Sequence, residues 1–335
     1  MPTDPSGPDA SVVVPSHHGA HRLPHLLAQL AAQECDRPWE VVVVVDGIVD
    51  DTPALLAAWH DRLPLRIVTH QVARGVAAAL TSGYAAARGY YLIRCDDDLD
   101  IPPGFIAGHL AAHAGRTDRV VLALTRDEFP DTPYAAAYGR PANARALAAA
   151  YAQAPEHRWI HLAACNSFHR SAWEASGGFD ARFAYGEDSE FGYRLRRQGL
   201  DFVIDPALEV GHRGPATSAA TRVPRAYVSG ASRRLFAAVH PEARRPLGRP
   251  GDWRGRLWNA AVGVLASAMR RREGYRTLGS LADRALRHVS RRAGGRIVAL
   301  LVEAAGRSGQ RYGSLDLHTY RDQKDAEVAG ELSGA

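Results

Sequence analysis

The chain has little lysine, few cysteines and no recognisable leader. Lys324 is the only lysine among 41 basic residues, so a Gly-Lys-Ser/Thr phosphate-binding loop is excluded. Three cysteines, at positions 35, 95 and 165, are far apart and lack metal-ligand spacing. This usage argues against a disulfide framework and suits a reducing compartment. Residues 1–10 are polar and rich in Pro, Asp and Gly rather than signal-like, so we expect a cytoplasmic protein, with peripheral association at a membrane as the alternative.

Long apolar runs and several common catalytic motifs are also missing. The longest apolar stretch, residues 257–269, is interrupted by Asn259 and is too short to span a bilayer. No Gly-x-Gly-x-x-Gly follows the first predicted strand, which argues against nicotinamide or flavin binding. No Gly-x-Ser-x-Gly elbow occurs either, which argues against an α/β-hydrolase.

Charge is divided unevenly along the chain. Residues 1–212 carry 18 Arg against 26 acidic residues, and residues 213–312 carry 21 Arg against 5. The tail, residues 313–335, is acidic again. The net charge of +5 therefore hides an acidic first part and a strongly basic second part.

Strand and helix patterns alternate at short intervals over the first part. Residues 11–14 and the β-branched run 41–45 predict strands, and the latter is typical of a parallel strand buried on both faces. Leucines at three- and four-residue spacing from Leu23 to Leu30 predict a helix. Residues 159–168 are interpreted as an irregular strand. The alternation predicts an α/β fold, with a mostly parallel sheet flanked by helices.

The pattern changes beyond Arg213. Apolar stripes at helical spacing, with Arg on the outer faces, predict an α-helical extension. We therefore divide the chain into a flexible tail (1–10), an α/β domain (11–215), an Arg-rich helical extension (216–312) and an acidic tail (313–335).

Acidic residues stand where predicted strands end. Asp46 ends one such strand, and Asp96, Asp97 and Asp98 end another. Ligands of parallel sheets bind beyond the carboxyl ends of the strands, and three adjacent carboxylates repel one another unless a cation neutralises them. Asp96 and Asp98 point the same way in an extended strand, and their oxygens suit Mn²⁺ or Mg²⁺. A solvated acidic loop is the alternative.

Asp188 lies at the predicted start of an amphipathic helix, after the segment Gly177-Gly178-Phe179-Asp180. The helix dipole favours its charged form, so we expect Asp188 to be ionised at neutral pH and able to accept a proton. Helix capping is the alternative role. His212 follows another predicted strand and could complete a metal site with Asp98.

These motifs resemble, in order, those of the inverting family 2 glycosyltransferases with the GT-A fold. The resemblance covers roughly residues 11–215 and rests on four elements. They are the strand leading to Pro15-Ser16, the Asp46-Gly47-Ile48-Val49-Asp50 element, the Gly75 helix with the following strand and acidic triplet, and the Gly-Gly-Phe-Asp to Glu187-Asp188 segment with the later His212.

The resemblance implies roles for residues between positions 11 and 215, whereas Arg222 and Arg225 lie beyond it and are assigned on their chemistry. Asp188 would be the catalytic base, and Asp98 and His212 would bind the metal, Mn²⁺ or Mg²⁺. Glu187 and Trp159 are assigned to the acceptor. Nucleotide-sugar binding is assigned to Pro15, Ser16, Asp46, Asp96, Asp97, Arg222 and Arg225.

Two departures from the family leave the donor's identity open. Leu80-Thr81 stands where the family usually carries Arg-Asn, and Ile48-Val49 stands where it carries Ser-Thr. We expect the donor contacts and the base pocket to differ accordingly.

The basic extension has three interpretations. Arg222 and Arg225 could pair with a diphosphate. The Arg-faced helices could contact an anionic membrane or nucleic acid, or form a solvated face or homodimer contact. Aromatic residues are not interleaved with the arginines as single-strand binding would favour, so we expect no nucleic-acid partner.

The sequence thus predicts a metal-dependent inverting transferase that moves a hexose from a nucleotide-sugar, most simply a UDP-sugar, to an acceptor hydroxyl. The missing membrane span favours a soluble acceptor such as a specialised metabolite. A binding module that has lost turnover is the first alternative, and a nucleotidyltransferase is the second.

Overall fold

The computed structural model describes residues 7–243 and 252–314. Most of the tail predicted for residues 1–10, and nearly all of that predicted for 313–335, lie outside these residues. Contacts divide the chain into two compact units. The first comprises residues up to 128, 145–182 and 187–214, and the second comprises 129–144, 183–186 and the residues from 215 onward.

A seven-stranded sheet with the order β3-β2-β1-β4-β8-β6-β9 forms the centre of the first unit. Neighbouring strands are parallel except where β8 runs antiparallel to β4 and β6, which confirms the predicted mostly parallel sheet. Its strands are β1 (Ala10–Ser16), β2 (Trp39–Asp46), β3 (Leu65–His70), β4 (Tyr91–Cys95), β6 (Arg119–Leu122), β8 (Cys165–His169) and β9 (Asp201–Ile204).

Apolar periodicity explains the first helix that packs in the core of this sheet. In α1 the four leucines at positions 23, 26, 27 and 30 are fully buried, since the three- and four-residue spacing puts them on one face. The helices of this part of the chain are α1 (Leu23–Ala31), α2 (Thr52–Ala57), α3 (Val76–Ala86), α4 (Phe105–His113), α5 (Arg140–Tyr151), α6 (Arg170–Ser176) and α7 (Glu187–Arg197).

A glycine allows α3 to lie close to the sheet. A Cβ atom at Gly83 would lie 2.4 Å from Cγ1 of Val13 and 3.0 Å from Cγ2 of Val44. The absence of a side chain at Gly83 therefore allows α3 to pack closely on β1 and β2.

Strand β1 continues through Pro15, where the sequence predicts a stop. The pairing of β1 with β4 ends at Val13 opposite Arg94, whereas the pairing with β2 continues to Ser16. Since Pro15 lies beyond the last pair with β4, its missing N–H removes no bond on that side.

A second, three-stranded sheet lies in the first unit, with the order β5-β10-β7. Gly211 and His212 pair antiparallel with β5, and His212 lies opposite Asp127 of the parallel neighbour β7. The strands are β5 (Leu99–Asp100), β7 (Thr125–Asp127) and β10 (Val210–His212).

The predicted irregular strand 159–168 is wrong over its first half. Residues Pro155–His161 form a 3₁₀ helix, and only Cys165–His169 is a strand. Trp159 lies in that helix with its ring centroid 5.1 Å from that of Tyr193 in α7. Packing of an aromatic side chain, rather than strand pairing, therefore explains the apolar character of this segment.

The C-terminal helical region is confirmed. The four helices among its described residues share a core that includes Val223, Tyr275 and Val298, each fully buried. Within the described ranges, no helix is long and apolar enough to cross a membrane. The helices are α8 (Ala219–Val239), α9 (Trp253–Ala268), α10 (Arg272–Ala285) and α11 (Arg291–Tyr312).

Candidate active site

The predicted acidic residues of the first unit meet at one edge of its sheet. Strands β1, β2 and β4 are parallel neighbours, so Ser16, Asp46 and Asp96 all stand at carboxyl ends. This is the edge at which α/β sheets bind ligands.

Asp46 is held by backbone and imidazole donors. Its Oδ1 accepts a hydrogen bond from the Arg74 amide at 2.8 Å, and its Oδ2 accepts one from the Gly75 amide at 2.8 Å. His70, opposite Asp46 in the β2–β3 register, contacts Oδ1 through Nδ1 at 2.7 Å and Ser82 through Nε2 at 2.9 Å. The carboxylate therefore ties the end of β2 to the start of α3.

Asp97 points into the protein. Its Oδ2 accepts a hydrogen bond of 2.6 Å from the Ser16 hydroxyl, and its Oδ1 lies 3.0 Å from Nε of Arg22. Burial raises the pKa of Asp97 to about 6, and the charge of Asp98 adds to this while Arg22 and Ser16 oppose it. Ser16 and Asp97, both predicted to contact the donor, thus contact each other.

Asp98 and His212 come together as predicted. Nε2 of His212 lies 3.3 Å from Oδ2 of Asp98, and Nδ1 lies 2.6 Å from Oδ1 of Asp127. Burial alone would lower the pKa of His212, but its bonds to the two carboxylates outweigh burial and raise it to about 10. Asp127 was missed because nothing in its local sequence indicates that β7 pairs with β10.

Asp188 forms an ion pair that the sequence analysis also missed. Arg94, whose side chain is 5% exposed, donates from Nη1 to Oδ1 of Asp188. Its Nε donates to Oδ1 of Asp96 at 2.7 Å, and its Nη2 donates to Oδ2 at 3.1 Å. Arg94 therefore joins the predicted base to the first member of the acidic triplet.

The pKa of Asp188 shifts in the direction opposite to the one that the helix dipole alone would give. Burial raises the pKa of Asp188 and the charge of Asp96 adds to the rise, while Arg94 opposes it. Burial would also lower the pKa of Arg94, but the two carboxylates outweigh it and raise this pKa. The ionisation of Asp188 at neutral pH stays a prediction, and burial acts against it.

The Gly-Gly-Phe-Asp segment positions α7. Arg194 of α7 donates to the carbonyl of Ser176 at 2.7 Å and to that of Gly178 at 2.6 Å, while its Nε binds Glu190 at 2.7 Å. Phe179 packs on Phe191 of α7 with a centroid distance of 4.7 Å. The turn and the helix that carries Asp188 are therefore fixed to each other.

The residues assigned to the acceptor are both buried. Trp159 is 5% exposed and Glu187 is 6% exposed, and Trp159 packs on α7 through Tyr193.

Arg222 and Arg225 lie on α8 in the second unit. Nε of Arg225 lies 3.3 Å from the Tyr185 hydroxyl, which also lies 3.3 Å from the Ser229 hydroxyl. This places two arginines and two hydroxyl groups along one stretch of the unit.

A cavity of about 670 Å³ opens at the opposite edge of the main sheet. It is lined in part by Trp39, Glu40 and Leu65, which stand where β2 and β3 begin. The cavity contains none of the predicted site residues, so it carries no argument about the candidate active site.

The fold and the acidic edge together define the class of α/β proteins that bind ligands beyond the carboxyl ends of a mostly parallel sheet. Residues 11–173 match the glycosyl transferase family 2 model. This segment, just under half of the chain, is therefore similar to family 2 glycosyltransferases, and the fold is of the GT-A type.

Two curated relatives are similar to this chain over more than half of its length. The chain is 29% identical over 225 residues to validoxylamine A glucosyltransferase of Streptomyces hygroscopicus subsp. jinggangensis, covering 59% of this chain and 53% of that protein. It is 27% identical over 262 residues to pre-mycofactocin glycosyltransferase of Mycobacterium tuberculosis, covering 73% and 52%. The chain thus spans about half the length of these relatives.

Among solved structures, the chain resembles the mannosyltransferase PcManGT from Pyrobaculum calidifontis, solved in complex with GDP-Man and Mn²⁺. The TM-score is 0.59 at 21% identity, with 91% of this chain and 89% of that one covered. At this identity the likeness establishes the fold.

Proposed function

We propose that this protein is a metal-dependent inverting glycosyltransferase that moves a hexose from a nucleotide-sugar to an acceptor hydroxyl. The observation that carries the proposal is the arrangement of the acidic edge. Asp98 faces His212, and two residues away along the chain Asp96 shares the Arg94 guanidinium with Asp188. A candidate metal-binding pair and a candidate base are thus joined through neighbouring residues of the acidic triplet, within one unit.

Asp98 and His212 would hold the metal. A carboxylate oxygen and an imidazole nitrogen 3.3 Å apart would bind Mn²⁺ once the ion has displaced the proton that the raised pKa of His212 retains. Asp127 at Nδ1 gives the imidazole a carboxylate partner of the kind that orients metal-bound histidines. No group of three or more His, Cys, Asp or Glu forms a complete metal site within the described ranges, so diphosphate and water oxygens would supply the other ligands. A bound ion would stabilise negative charge on the leaving diphosphate.

Asp188 would act as the base. The acceptor hydroxyl transfers its proton to the carboxylate as its oxygen attacks the anomeric carbon, and the bond from that carbon to the diphosphate breaks with its electron pair. Arg94 fixes one oxygen of Asp188, which orients the group for this step. The raised pKa of Asp188 makes it a stronger proton acceptor than an exposed aspartate.

The donor is proposed to be a UDP-sugar, with a GDP-sugar as the other candidate, since the similar mannosyltransferase structure contains GDP-Man. Ile48 and Val49 are about half exposed beside the end of β2. Apolar side chains would therefore replace the family's hydroxyl groups near the nucleotide base of the donor. The other donor contacts proposed are Pro15, Ser16, Asp46, Asp96 and Asp97, with Arg222 and Arg225 assigned on their chemistry; Glu187 and Trp159 are proposed for the acceptor.

Calorimetry with UDP and GDP, with and without Mn²⁺, tests the metal pair. We expect metal-dependent binding of one nucleotide to be lost in Asp98→Ala, because the ion loses its carboxylate. Asp118→Ala is the matched control, since that carboxylate is 61% exposed and pairs with Arg116. Affinity that is unchanged in Asp98→Ala would refute the metal role.

Turnover of Asp188→Asn tests the base. The variant should lose transfer by about 10²-fold or more while it binds the donor almost normally, because the amide cannot accept the proton. Transfer at the wild-type rate would exclude Asp188 as the base. Tight donor binding by a wild-type protein that neither transfers nor hydrolyses any donor would favour the binding-module alternative.

A further inference from the structure

The outer face of α9 is apolar and exposed. Trp253, Leu257 and Val264 are 60%, 62% and 71% exposed. They follow the three- and four-residue spacing that puts side chains on one side of a helix. Ala260, Ala261 and Ala268, which fall on the same side, are exposed as well. The result is an apolar stripe along the length of the helix.

The inner face of the same helix is already used. Val262 and Ala266 are fully buried in the core of the helical unit, and the indole N–H of Trp258 donates to Glu303 of α11 at 2.8 Å. Since α9 is apolar on both sides but only one side is buried, solvent contact does not explain the outer stripe. Sixteen residues rise about 24 Å, less than the apolar thickness of a bilayer, so α9 does not serve as a span.

Charge indicates what covers the stripe. Arg254 and Arg256 are exposed and flank it on either side, and the Arg254 guanidinium lies 5.5 Å from the ring centroid of Trp253. Arg270 and Arg271 follow the helix, and α9 itself contains no acidic residue. Tryptophan and leucine on one face with arginine at its margins are typical of helices that lie in the interface of an anionic bilayer.

We propose that α9 is a membrane-contact helix that docks on anionic phospholipid. Trp253, Leu257 and Val264 enter the boundary between headgroups and acyl chains, and Arg254 and Arg256 contact the lipid phosphates. The proposal concerns one face of one unit and does not depend on the transferase activity.

Vesicle co-sedimentation of the full chain tests this surface. We expect the protein to bind vesicles that contain phosphatidylglycerol and to bind pure phosphatidylcholine vesicles on the order of tenfold more weakly, because the arginines lose their anionic partners. The double variants Leu257→Gln/Val264→Gln and Arg254→Gln/Arg256→Gln should each lose most of the binding. Val72→Gln, at a valine that is 69% exposed in the first unit, is the control and should bind as the wild type does.

Two further measurements make the outcome decisive. Thermal unfolding of each variant should match the wild type, since the changed side chains are exposed. Anionic vesicles should shift the emission of Trp253, taken as the difference between wild type and Trp253→Phe, to shorter wavelength. The proposal is overturned by equal binding to both kinds of vesicle, by binding that survives Leu257→Gln/Val264→Gln, or by a dimer in sedimentation that this variant dissociates. The last result would assign the stripe to a second copy of the chain.

Discussion

At the scale of single residues, a buried guanidinium organises the candidate active site. Arg94 lies in the middle of an apolar strand and bonds two carboxylates at once. Two such carboxylates close together would repel each other without it. The arginine therefore has a folding role and a positioning role at the same place.

Replacement of Arg94 by methionine should cost up to about 3–5 kcal/mol of unfolding free energy, because it leaves two partly buried carboxylates without their counter-charge. Urea denaturation measures this loss. Addition of Asp188→Asn to the Arg94 variant should recover part of the lost unfolding free energy, since one of the two unpaired carboxylate charges is then removed.

Arg116→Met is the control for that prediction. Arg116 also joins two carboxylates, Asp118 at 2.9 Å and Asp201 at 3.3 Å, but its side chain is 42% exposed. Its loss should leave the stability almost unchanged, because water screens an exposed ion pair. Equal effects of the two substitutions would show that the Arg94 bridge is as weak as a surface ion pair.

Sequence reasoning identified the candidate ligands and base but not their partners. Asp98 and His212 were found because each follows a strand, and the structure brings them together. Arg94 could have been noticed as a charge inside the apolar segment Tyr91–Cys95. Asp127 could not, because its contact with His212 depends on the pairing of β7 with β10, which no local pattern specifies.

At the scale of elements, helices were predicted better than the irregular segments. The spacing of Leu23 to Leu30 and the segment that leads into α7 gave helices close to their observed bounds. The 3₁₀ helix with Trp159 was misinterpreted, since a short apolar run has no period that separates a strand from a tight turn.

Gly83→Ala should destabilise the protein by about 1–3 kcal/mol, because its Cβ would collide with Val13 and push α3 away from the sheet. Gly104→Ala is the matched control, since nothing lies within 4 Å of a Cβ at that position, and it should change stability by less than about 1 kcal/mol. Denaturant unfolding of both variants gives the comparison. An equally small effect at Gly83 would mean that α3 can move away from the sheet without loss of stability.

At the scale of the whole molecule, two buried histidines should make folding sensitive to acid. His109 and His113 contact the Ser167 hydroxyl at 2.9 and 2.8 Å. Burial lowers the pKa of each to about 3, whereas a histidine in the unfolded chain titrates near 6.5. The unfolded state therefore binds more protons, so this contribution to stability is complete above pH 6.5 and is lost progressively as the pH falls toward 3.

Together the two histidines should remove roughly 2.7 kcal/mol of unfolding free energy per pH unit between about pH 6 and 4. The variant His109→Gln/His113→Gln should show a slope shallower by this amount, even if it is less stable at neutral pH. The difference between proteins isolates the effect from other groups such as Asp97, whose raised pKa acts in the opposite direction. His60→Gln, at an exposed histidine, should keep the wild-type slope.

The fold class as a whole was predictable. Continuous β-branched runs and alternating helices specify a mostly parallel sheet, and the change of composition after Arg213 marks the helical region. The antiparallel insertion of β8 between β4 and β6 was not predictable, because the order of strands in a sheet depends on long-range packing.

The small sheet β5-β10-β7 has a consequence for synthesis on the ribosome. Its central strand carries His212, and Asp188 also follows the segment that matches the family, residues 11–173. A nascent chain that has emerged only as far as residue 173 already contains the acidic triplet but neither the imidazole that faces Asp98 nor the carboxylate that meets Arg94. The acidic edge is thus completed only after the other strands of the first unit have been made, when β10 joins strands made about a hundred residues earlier.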